Sequence, residues 1–391
     1  MGENWSNWSG NVTSGPQVIA MPDDDAAVAA LVREAAAAAR EVRVVGTGHS
    51  FTPVAASDGL LLKLDKIASV EDVDAAAGTA WIGAGAKITA IGEPLRQGGL
   101  ALANQGDIDV QAICGALATG THGTGRTLGN LPTQLAAMRL VTAEGEIVEL
   151  NADNEPDAFR AARVSLGMLG VATAVKLNCL PAYRLHEKLW TATVEECFGE
   201  IDDLIAGNRH FEFFWRPDPD RCDMKALNPH DGPPDPMDGV EGERVDHSYR
   251  IFPSIRDNKF NEMEYSVPAE AGPDCFHEIR ALMQTRHPDV KWPVEYRTLA
   301  ADDAMLSTAY KRHSVTISVH EAADRPYRDF FADCETIFRN HRGRPHWGKV
   351  HNLTANDFAD LYREWESFLA IRRRFDPKGR FLNGYLKGIF E

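Results

Sequence analysis

Three glycine-rich segments, each joined to a short apolar run, constrain the fold of this chain most strongly. In the first, "VRVVGTGHSF" at 42–51, a buried strand is predicted to run into a turn at Gly46 and Gly48, with His49 at its tip. Glycine turns let backbone N–H groups face an anion, so this segment is compatible with phosphate binding. It lacks the third glycine and the immediate helix of a dinucleotide fingerprint, and it lacks the Gly-Lys-Ser/Thr of a P-loop.

The other two glycine-rich segments lie further along the chain. The second, "CGALATGTHGTG" at 114–125, carries four glycines separated by small or hydroxylated residues, which allow a ligand to approach the backbone closely. The third, "SLGMLGVAT" at 165–173, places two glycines before a strand. Three such loops in one region predict a long ligand held along its length, and a dinucleotide with a large ring system would suit them.

The patterning of apolar residues predicts an α+β fold in two regions. Up to about residue 178 the predicted elements are helices at 23–40, 88–97 and 156–163, strands at 42–45, 60–64, 80–85, 100–104 and 170–177, and a hairpin at 138–150. From Pro181 onwards the pattern predicts longer strands at 210–216, 260–267, 292–298 and 313–320 and helices at 194–206, 273–285, 326–341 and 355–375. The segment 223–258 is rich in Pro, Asp and Gly, and we interpret it as a surface loop in preference to a lid.

Bulk composition argues against several classes of protein. A chain of 391 residues exceeds one simple core, so two domains are expected. Its formal net charge of −16 makes nucleic acid and anionic membrane surfaces poor partners. The six cysteines include no CxxC pair, so we expect neither a disulfide framework nor a metal site. The sequence shows no leader pattern and no long apolar run, which favours a cytoplasmic location. Three N-x-S/T sequons, at Asn4, Asn7 and Asn11, are interpreted as coincidental.

Two strands of the second region each have a polar face. Glu295 and Arg297 are two residues apart, so on a strand they share one face. In the strand at 313–320 the valines and isoleucine point one way, whereas Thr316, Ser318 and His320 point the other way. The residues alone leave two alternatives open: a solvated sheet face, or a polar cavity that binds a hydroxylated substrate.

Several segments together resemble a known family in their order along the chain. They are "VVGTGHSF", "NQGDIDVQAICGALATGTHGTG", "SLGMLGVAT", "EYRTLAADDAMLSTAY", "RPHWGKVH" and "FLNGYL". The chain resembles FAD-linked oxidases of the vanillyl-alcohol oxidase superfamily, in the sugar-1,4-lactone and alditol oxidase branch. The resemblance implies a PCMH-type FAD-binding domain at 1–178, a substrate domain with an antiparallel sheet and flanking helices at 179–340, and a C-terminal segment at 341–391 that returns to the flavin.

The resemblance also implies which residues hold FAD. They are Val44, Val45, Gly46, Thr47, Gly48, His49, Ser50, Gly106, Asp107, Ala112, Gly115, Thr119, Gly120, Thr121, His122, Val171 and Lys349. His49 occupies the position at which the family attaches the flavin covalently; the alternative is a histidine that only forms hydrogen bonds in the turn. For His122, a structural hydrogen bond and a direct contact with the cofactor are alternatives of nearly equal weight.

The same resemblance implies the chemistry. Glu295, Arg297 and Lys349 match the family's catalytic residues, and a cation beside the reduced flavin favours that state. Substrate binding is expected at Asp107, Thr316, Ser318 and His320. Gly106 matches a small residue that leaves space for O2, which favours an oxidase.

The expected reaction is oxidation of a hydroxyl on an aldono-1,4-lactone of the L-gulono or D-arabinono type, with hydride passing to flavin N5 and O2 forming H2O2. An alditol oxidase is the alternative, as is a flavoprotein dehydrogenase or biosynthetic oxidoreductase that acts on a non-sugar substrate. Asp107 replaces the serine of alditol oxidases, which weakens the alditol reading. The protein is expected to be a monomer or a weak homo-oligomer.

Overall fold

The computed structural model describes residues 4–235, 240–254 and 258–391. Its helices are α1 (Asp25–Ala37), α2 (Ile88–Gln97), α3 (Ile113–Thr119), α4 (Pro156–Arg163), α5 (Val194–Gly199), α6 (Ile201–Gly207), α7 (Ser248–Ile251), α8 (Gly272–Thr285), α9 (Arg328–Asn340), α10 (Ala355–Leu361), α11 (Trp365–Phe375) and α12 (Gly384–Phe390). Its strands are β1 (Trp5–Ser6), β2 (Thr13–Ser14), β3 (Val18–Ala20), β4 (Val42–Val45), β5 (Leu60–Lys63), β6 (Val70–Asp74), β7 (Thr79–Gly83), β8 (Leu100–Ala101), β9 (Leu135–Val141), β10 (Ile147–Asn151), β11 (Val171–Asn178), β12 (Leu180–Pro181), β13 (Arg184–Thr193), β14 (His210–Arg216), β15 (Arg221–Pro229), β16 (Glu243–His247), β17 (Phe260–Pro268), β18 (Val294–Leu299), β19 (Ser314–Ala322) and β20 (Arg344–Pro345). In these described ranges, no helix combines the length and the apolar character that crossing a bilayer requires.

A small parallel sheet, in the order β3-β5-β4, carries the first glycine loop at the end of β4. Strands β4 and β5 are largely buried runs of valine and leucine, as parallel strands covered on both faces usually are. Helix α1 begins where the side chain of Asp24 accepts a hydrogen bond from the N–H of Ala27. The helix buries Val28 and Val32 in the same apolar cluster as Leu60. This packing fixes the strand from which the glycine loop departs.

A five-stranded antiparallel sheet, in the order β10-β9-β11-β7-β6, completes the N-terminal part. Strands β9 and β10 form the predicted hairpin, and its turn contains Gly145 with a φ of +77°. The third glycine loop leads directly into β11. The backbone N–H of Leu166 in this loop donates to the carbonyl of Ala118 in α3, so the third glycine loop packs against the second.

An antiparallel sheet of eight strands, in the order β16-β13-β15-β14-β18-β19-β17-β20, forms the second part of the structure. Its central strands bring polar residues into register: Arg297 lies opposite Glu212 and Thr316, and Ser318 lies opposite Glu295 and Glu264. The alternate residues of these strands are apolar and buried; they include Phe213, Met263, Tyr265, Tyr296, Ile317 and Val319. The sheet thus has one apolar face in the core and one face made of charged and hydroxylated side chains.

Several predicted elements differ from the structure. The helix predicted at 194–206 is divided into α5 and α6, because the backbone at Glu200 is not helical. Thr193 begins α5 with a capping box. The helix predicted at 355–375 is likewise divided into α10 and α11. Strand β13 was not predicted.

The surface loop predicted at 223–258 is wrong in its first part. Strand β15 continues to Pro229 between β13 and β14, and Cys222, Met224 and Ala226 alternate into the core. Strand β16 and helix α7 follow at 243–251. Residues 236–239 and 255–257 of this segment lie outside the described residues.

The C-terminal segment packs against the first glycine loop and its strand. The backbone N–H of Val42 donates to the carbonyl of Arg380, and the amide of Asn383 donates to the carbonyls of Pro53 and Ala56. Strand β20, just before Lys349, pairs with β17. The C-terminal segment therefore contacts both the first glycine loop and the eight-stranded sheet. The α+β class predicted from the sequence is confirmed.

Candidate active site

A long cleft runs along the three glycine loops and encloses about 1320 Å³ of empty space, part of it open to solvent. Gly48 has a φ of +73°, a left-handed conformation that glycine adopts without strain, at the turn after β4. A Cβ atom added at Gly115 would meet no atom within 4 Å, so this glycine borders open space. The cleft is lined by small residues and backbone, and it extends along all three loops. These features fit a dinucleotide cofactor.

Most of the residues predicted to hold FAD line this cleft. They are Val44, Val45, Gly46, Thr47, Gly48, His49, Ser50, Ala112, Gly115 and Thr119. Gly120 and Val171 line neither this cleft nor the pocket described next. Gly120 instead ends α3 with a φ of +77°, and Val171 is buried in the apolar cluster around α1. We therefore propose that these two residues support the cleft walls instead of contacting a cofactor.

A smaller polar pocket of about 640 Å³ adjoins the cleft. Its lining includes the predicted residues Gly106, Asp107, Thr121, His122, Glu295, Arg297, His320 and Lys349. His49, Ser50, Gln111 and Thr119 line both the pocket and the cleft. The two cavities thus meet at His49, which places the end of a cleft-bound ligand beside the charged groups of the pocket.

Arg297 stands among three carboxylates on the polar face of the sheet. Its Nε donates to Glu212 at 2.7 Å, and its Nη2 lies 3.0 Å from Asp107 and also pairs with Glu295. Lys225 adds a second cation, with Nζ 3.2 Å from Glu212 and 3.7 Å from Asp107. Burial alone would lower the pKa of Arg297, but the charges of Glu212, Glu295 and Asp107 raise it well above its usual value. The guanidinium is therefore a fixed positive charge in the pocket wall.

Lys349, in the segment after β20, is the second cation that lines the polar pocket. It forms an ion pair with Glu262, whose other oxygen lies 3.6 Å from Nε2 of His320. Burial opposes ionisation of Glu262, but the charges of Lys349 and His320 prevail and lower its pKa. The Nδ1 of His320 is 2.8 Å from the carbonyl oxygen of Pro293, so that nitrogen carries the proton and donates. Glu262 therefore connects Lys349 and His320 on the pocket wall.

His122 is held by both of its ring nitrogens. Nε2 lies 2.6 Å from Glu264 and Nδ1 lies 2.8 Å from the carbonyl of Gly123. Burial acts to lower the pKa of His122, but the charge and the hydrogen bond of Glu264 outweigh it and raise the pKa. Ser318 also donates to Glu264, at 3.0 Å. The structural hydrogen bonds of His122 are therefore present, and its contact with the cofactor stays a prediction, since the ring also borders the pocket.

His49 is kept neutral by its surroundings. Burial, and then the charge of Lys349, lower the pKa of His49 to about 4. Its ring stacks on Trp8, with centroids 5.1 Å apart and an interplanar angle of 27°. An uncharged imidazole at this position retains a nucleophilic nitrogen at neutral pH.

Comparison with known proteins identifies the family. Residues 175–243 and 238–389 match the family model described as D-arabinono-1,4-lactone oxidase, and residues 16–151 match the model of an FAD binding domain. The chain is 36% identical to the L-gulono-1,4-lactone dehydrogenase of Mycobacterium tuberculosis strain CDC 1551 / Oshkosh, over 98% of both chains. The chain belongs to the D-arabinono-1,4-lactone oxidase family.

Other relatives of this D-arabinono-1,4-lactone oxidase family member agree with that assignment. The chain is 29% identical to the L-gulonolactone oxidase of Bos taurus, over 100% of this chain and 98% of the relative. A crystal structure of cholesterol oxidase from B. sterolicum superimposes with a TM-score of 0.88 at 17% identity, over 99% of this chain and 96% of that one. These matches confirm the resemblance inferred from the motifs and the PCMH-type FAD-binding fold.

The structure also decides between the two alternatives for the polar sheet face of this family member. Thr316, Ser318 and His320 are 2%, 2% and 8% exposed, so the face is not solvated. Thr316 and Ser318 do not line the pocket; Thr316 lies opposite Arg297 in the sheet, and Ser318 donates to Glu264. We therefore assign Ser318 to the support of Glu264 and propose that neither hydroxyl contacts the substrate.

Four charged residues of this face were not singled out from the sequence: Glu212, Lys225, Glu262 and Glu264. Each had a signal. Glu212 is a lone carboxylate in the aromatic strand "HFEFFWR", and Glu262 and Glu264 alternate with apolar residues in "FNEMEYSV". A charge at a position whose alternate neighbours form the core is a candidate for a buried polar site.

Proposed function

We propose that the protein catalyses the FAD-dependent oxidation of a hydroxyl group on an aldono-1,4-lactone, of the L-gulono or D-arabinono type, with O2 as the electron acceptor. The observation that carries this proposal is the junction at His49 between a long glycine-walled cleft and a buried pocket with two cations. Relatives named as lactone dehydrogenase and lactone oxidase support the substrate class.

The residues of the cleft and the pocket have separate tasks in this proposal. The backbone of the first glycine loop, together with Gly115, would hold FAD, and FAD supplies a hydride acceptor. Arg297 and Lys349 place positive charge where a bound hydroxyl and the ring system would meet, which favours loss of the hydroxyl proton and stabilises negative charge. Glu295 orients Arg297 and can accept a hydrogen bond from a substrate hydroxyl.

We propose O2 as the acceptor because Gly106 borders the polar pocket without a side chain. A Cβ atom at this position would lie 3.1 Å from the carbonyl oxygen of His122 and 3.5 Å from Cγ2 of Thr121. A side chain at this position would press on the second glycine loop, so close packing favours glycine here. FAD attached covalently to His49 is part of the same proposal, and the cytoplasmic location and the monomeric or weakly oligomeric state remain predictions from the sequence.

A substrate panel tests the proposed function. Purified protein is mixed with aldono-1,4-lactones, alditols and simple primary alcohols, and the consumption of O2 and formation of H2O2 are followed. The proposal predicts the highest kcat/KM for an aldonolactone. A higher value for an alditol would assign the protein to polyol oxidation, and turnover with an artificial electron acceptor but without O2 consumption would make it a dehydrogenase.

A further inference from the structure

The N-terminal hairpin, residues 5–14, packs against the loop that carries His49. Strands β1 and β2 pair in antiparallel register, Trp5 with Ser14 and Ser6 with Thr13. We call residues 5–14 the N-terminal clasp. Trp5 also lines the cofactor cleft. The clasp is therefore the part of the chain that covers the outer side of this loop.

The clasp binds three main-chain carbonyls of the loop. The backbone N–H of Trp8 donates to the carbonyl of Gly48 at 2.8 Å. The side-chain amide of Asn7 donates to the carbonyl of Ser50 at 2.9 Å, and that of Asn11 donates to the carbonyl of Phe51 at 3.0 Å. Only the carbonyl of His49 is skipped in this series, and the ring of His49 instead stacks on Trp8.

The side chain of Asn7 is buried and forms several hydrogen bonds within the clasp. It is 5% exposed, its Oδ1 accepts from the backbone N–H groups of Gly10 and Val12, and its Nδ2 also donates to Asn11. A buried amide with every group in use is an anchor for the backbone it binds. The sequon at Asn7 is thus explained by a hydrogen-bonding role.

The opposite side of the loop is held by the C-terminal segment. The backbone N–H of Phe51 donates to the carbonyl of Gly348 at 2.6 Å, and the Nζ of Lys349 lies 5.3 Å from the centre of the Phe51 ring. Trp8 in turn packs edge-on against Phe260, which lines the polar pocket. The His49 loop is therefore held by both the clasp and the C-terminal segment, and its imidazole stacks on Trp8.

We propose that Trp8, Asn7 and Asn11 are positioning residues for the covalent attachment of the flavin to His49. In that attachment a bond forms between an imidazole nitrogen and the C8 methyl carbon of the flavin, and each of these two atoms loses a proton. The two electrons released reduce the flavin ring, which O2 then reoxidises, forming H2O2. The stacked ring of Trp8 sets the plane of the imidazole, and the two asparagines set the backbone that carries it. A misplacement of about 1 Å in a reacting group can cost on the order of 10²-fold in rate.

This inference rests on the covalent link at His49, so the experiment separates the two. Wild type, His49→Ala, Trp8→Ala, Trp8→Phe and Asn7→Asp are produced in a riboflavin-auxotrophic host deprived of riboflavin, purified without flavin and then incubated with FAD. At intervals the bound flavin is measured by gel filtration, and the attached flavin is measured in the pellet after acid precipitation and by the mass of the denatured chain. Trp190→Ala, a half-buried tryptophan of strand β13 away from both cavities, is the matched control.

The expected result is attachment in wild type, none in His49→Ala, and attachment about tenfold or more slower in Trp8→Ala and Asn7→Asp while FAD still binds. Trp8→Phe keeps a ring for stacking and should recover most of the rate, and Trp190→Ala should match wild type. Wild-type rates of attachment in Trp8→Ala and Asn7→Asp would overturn the role of the clasp alone. If Trp8→Ala and Asn7→Asp lost FAD binding and FAD attachment to the same extent, the positioning role would also be overturned. The clasp would then be needed for the binding of FAD and not for its attachment. Free flavin from denatured wild type would overturn the covalent link itself.

Discussion

At the scale of single residues, the candidate site depends on buried charges that balance each other. Arg297 and Lys225 both form ion pairs with Glu212 and Asp107. The side chains of Lys225 and of these two carboxylates are largely buried. Burial tends to lower the pKa of Lys225, but Asp107 and Glu212 raise it. Such a network holds Arg297 in one orientation only while each carboxylate keeps its cation.

Replacing Lys225 by methionine should therefore destabilise the protein. The change leaves the carboxylates of Asp107 and Glu212 dependent on Arg297 alone, and breaking a buried pair in this way costs about 3 kcal/mol or more. Urea denaturation of the FAD-bound protein measures the change. Lys188→Met, at an exposed position on the adjacent strand β13, is the control and should cost little. Equal stability of the two variants would mean that the network carries no net energy.

At the scale of elements, one side chain joins the strands and loops that form the cleft. Arg43 on β4 is 4% exposed, and its guanidinium donates to the carbonyls of Val54, Leu166 and Phe381 at 2.9, 2.6 and 2.5 Å. These carbonyls belong to the segment after the first glycine loop, to the third glycine loop and to the C-terminal segment. Arg43 is thus a link between parts of the chain more than 100 residues apart.

Arg43→Met should loosen the cleft without changing its glycines. Methionine retains an apolar stem, but the three carbonyls lose their donor, and unsatisfied buried acceptors cost about 1–3 kcal/mol each. We expect a loss of about 3 kcal/mol or more in unfolding free energy and weaker FAD binding, measured by urea denaturation and by FAD titration. Arg126→Met, at an exposed position, is the control. A variant at Arg43 that binds FAD and unfolds like this control would refute the linking role.

Elements held by local patterns could be predicted from the sequence, and elements held by distant partners could not. Strand β4 and the Glu295–Arg297 pair follow from alternation and glycine turns that are visible within ten residues. Strand β13 was missed because Glu187 occupies a buried position that is compatible with the core only through its ion pair with Arg244 on β16. Lys225 hid strand β15 in the same way, since a buried lysine resembles an exposed one until its partners are known.

At the scale of the whole molecule, the surface of the chain and the lining of the polar pocket are both rich in carboxylates. The formal net charge is −16, and four carboxylates line the polar pocket, where they are paired with Arg297, Lys349, His122 and His320. The carboxylates are Asp107, Glu262, Glu264 and Glu295. A neutral polyhydroxylated molecule can use these groups as hydrogen-bond acceptors, whereas an anion is repelled by the surface and finds Arg297 and Lys349 already paired with carboxylates in the pocket.

The lactone should therefore be oxidised in preference to its hydrolysed, open-chain acid. Like-charge contacts in a buried site cost several kcal/mol, so kcat/KM for the aldonate should be lower by about 100-fold or more. The lactone and the aldonate made from it by alkaline hydrolysis are compared at one pH by the rate of O2 consumption. Raising the ionic strength should reduce the difference only slightly, because the pocket charges are buried. Equal kcat/KM values would contradict this account of the pocket.

The most direct test of the central claim is the rate of flavin reduction when the protein is mixed rapidly with a saturating aldono-1,4-lactone in the absence of O2. The account predicts that wild type loses its flavin colour in one fast phase, and that Arg297→Ala and Lys349→Ala, with FAD still bound, do so about 10²–10³-fold more slowly. Thr316→Ala, which changes a buried hydroxyl behind the pocket, should reduce its flavin at nearly the wild-type rate. Reduction of both cation variants at the wild-type rate would contradict the assignment of the pocket as the site of hydride transfer.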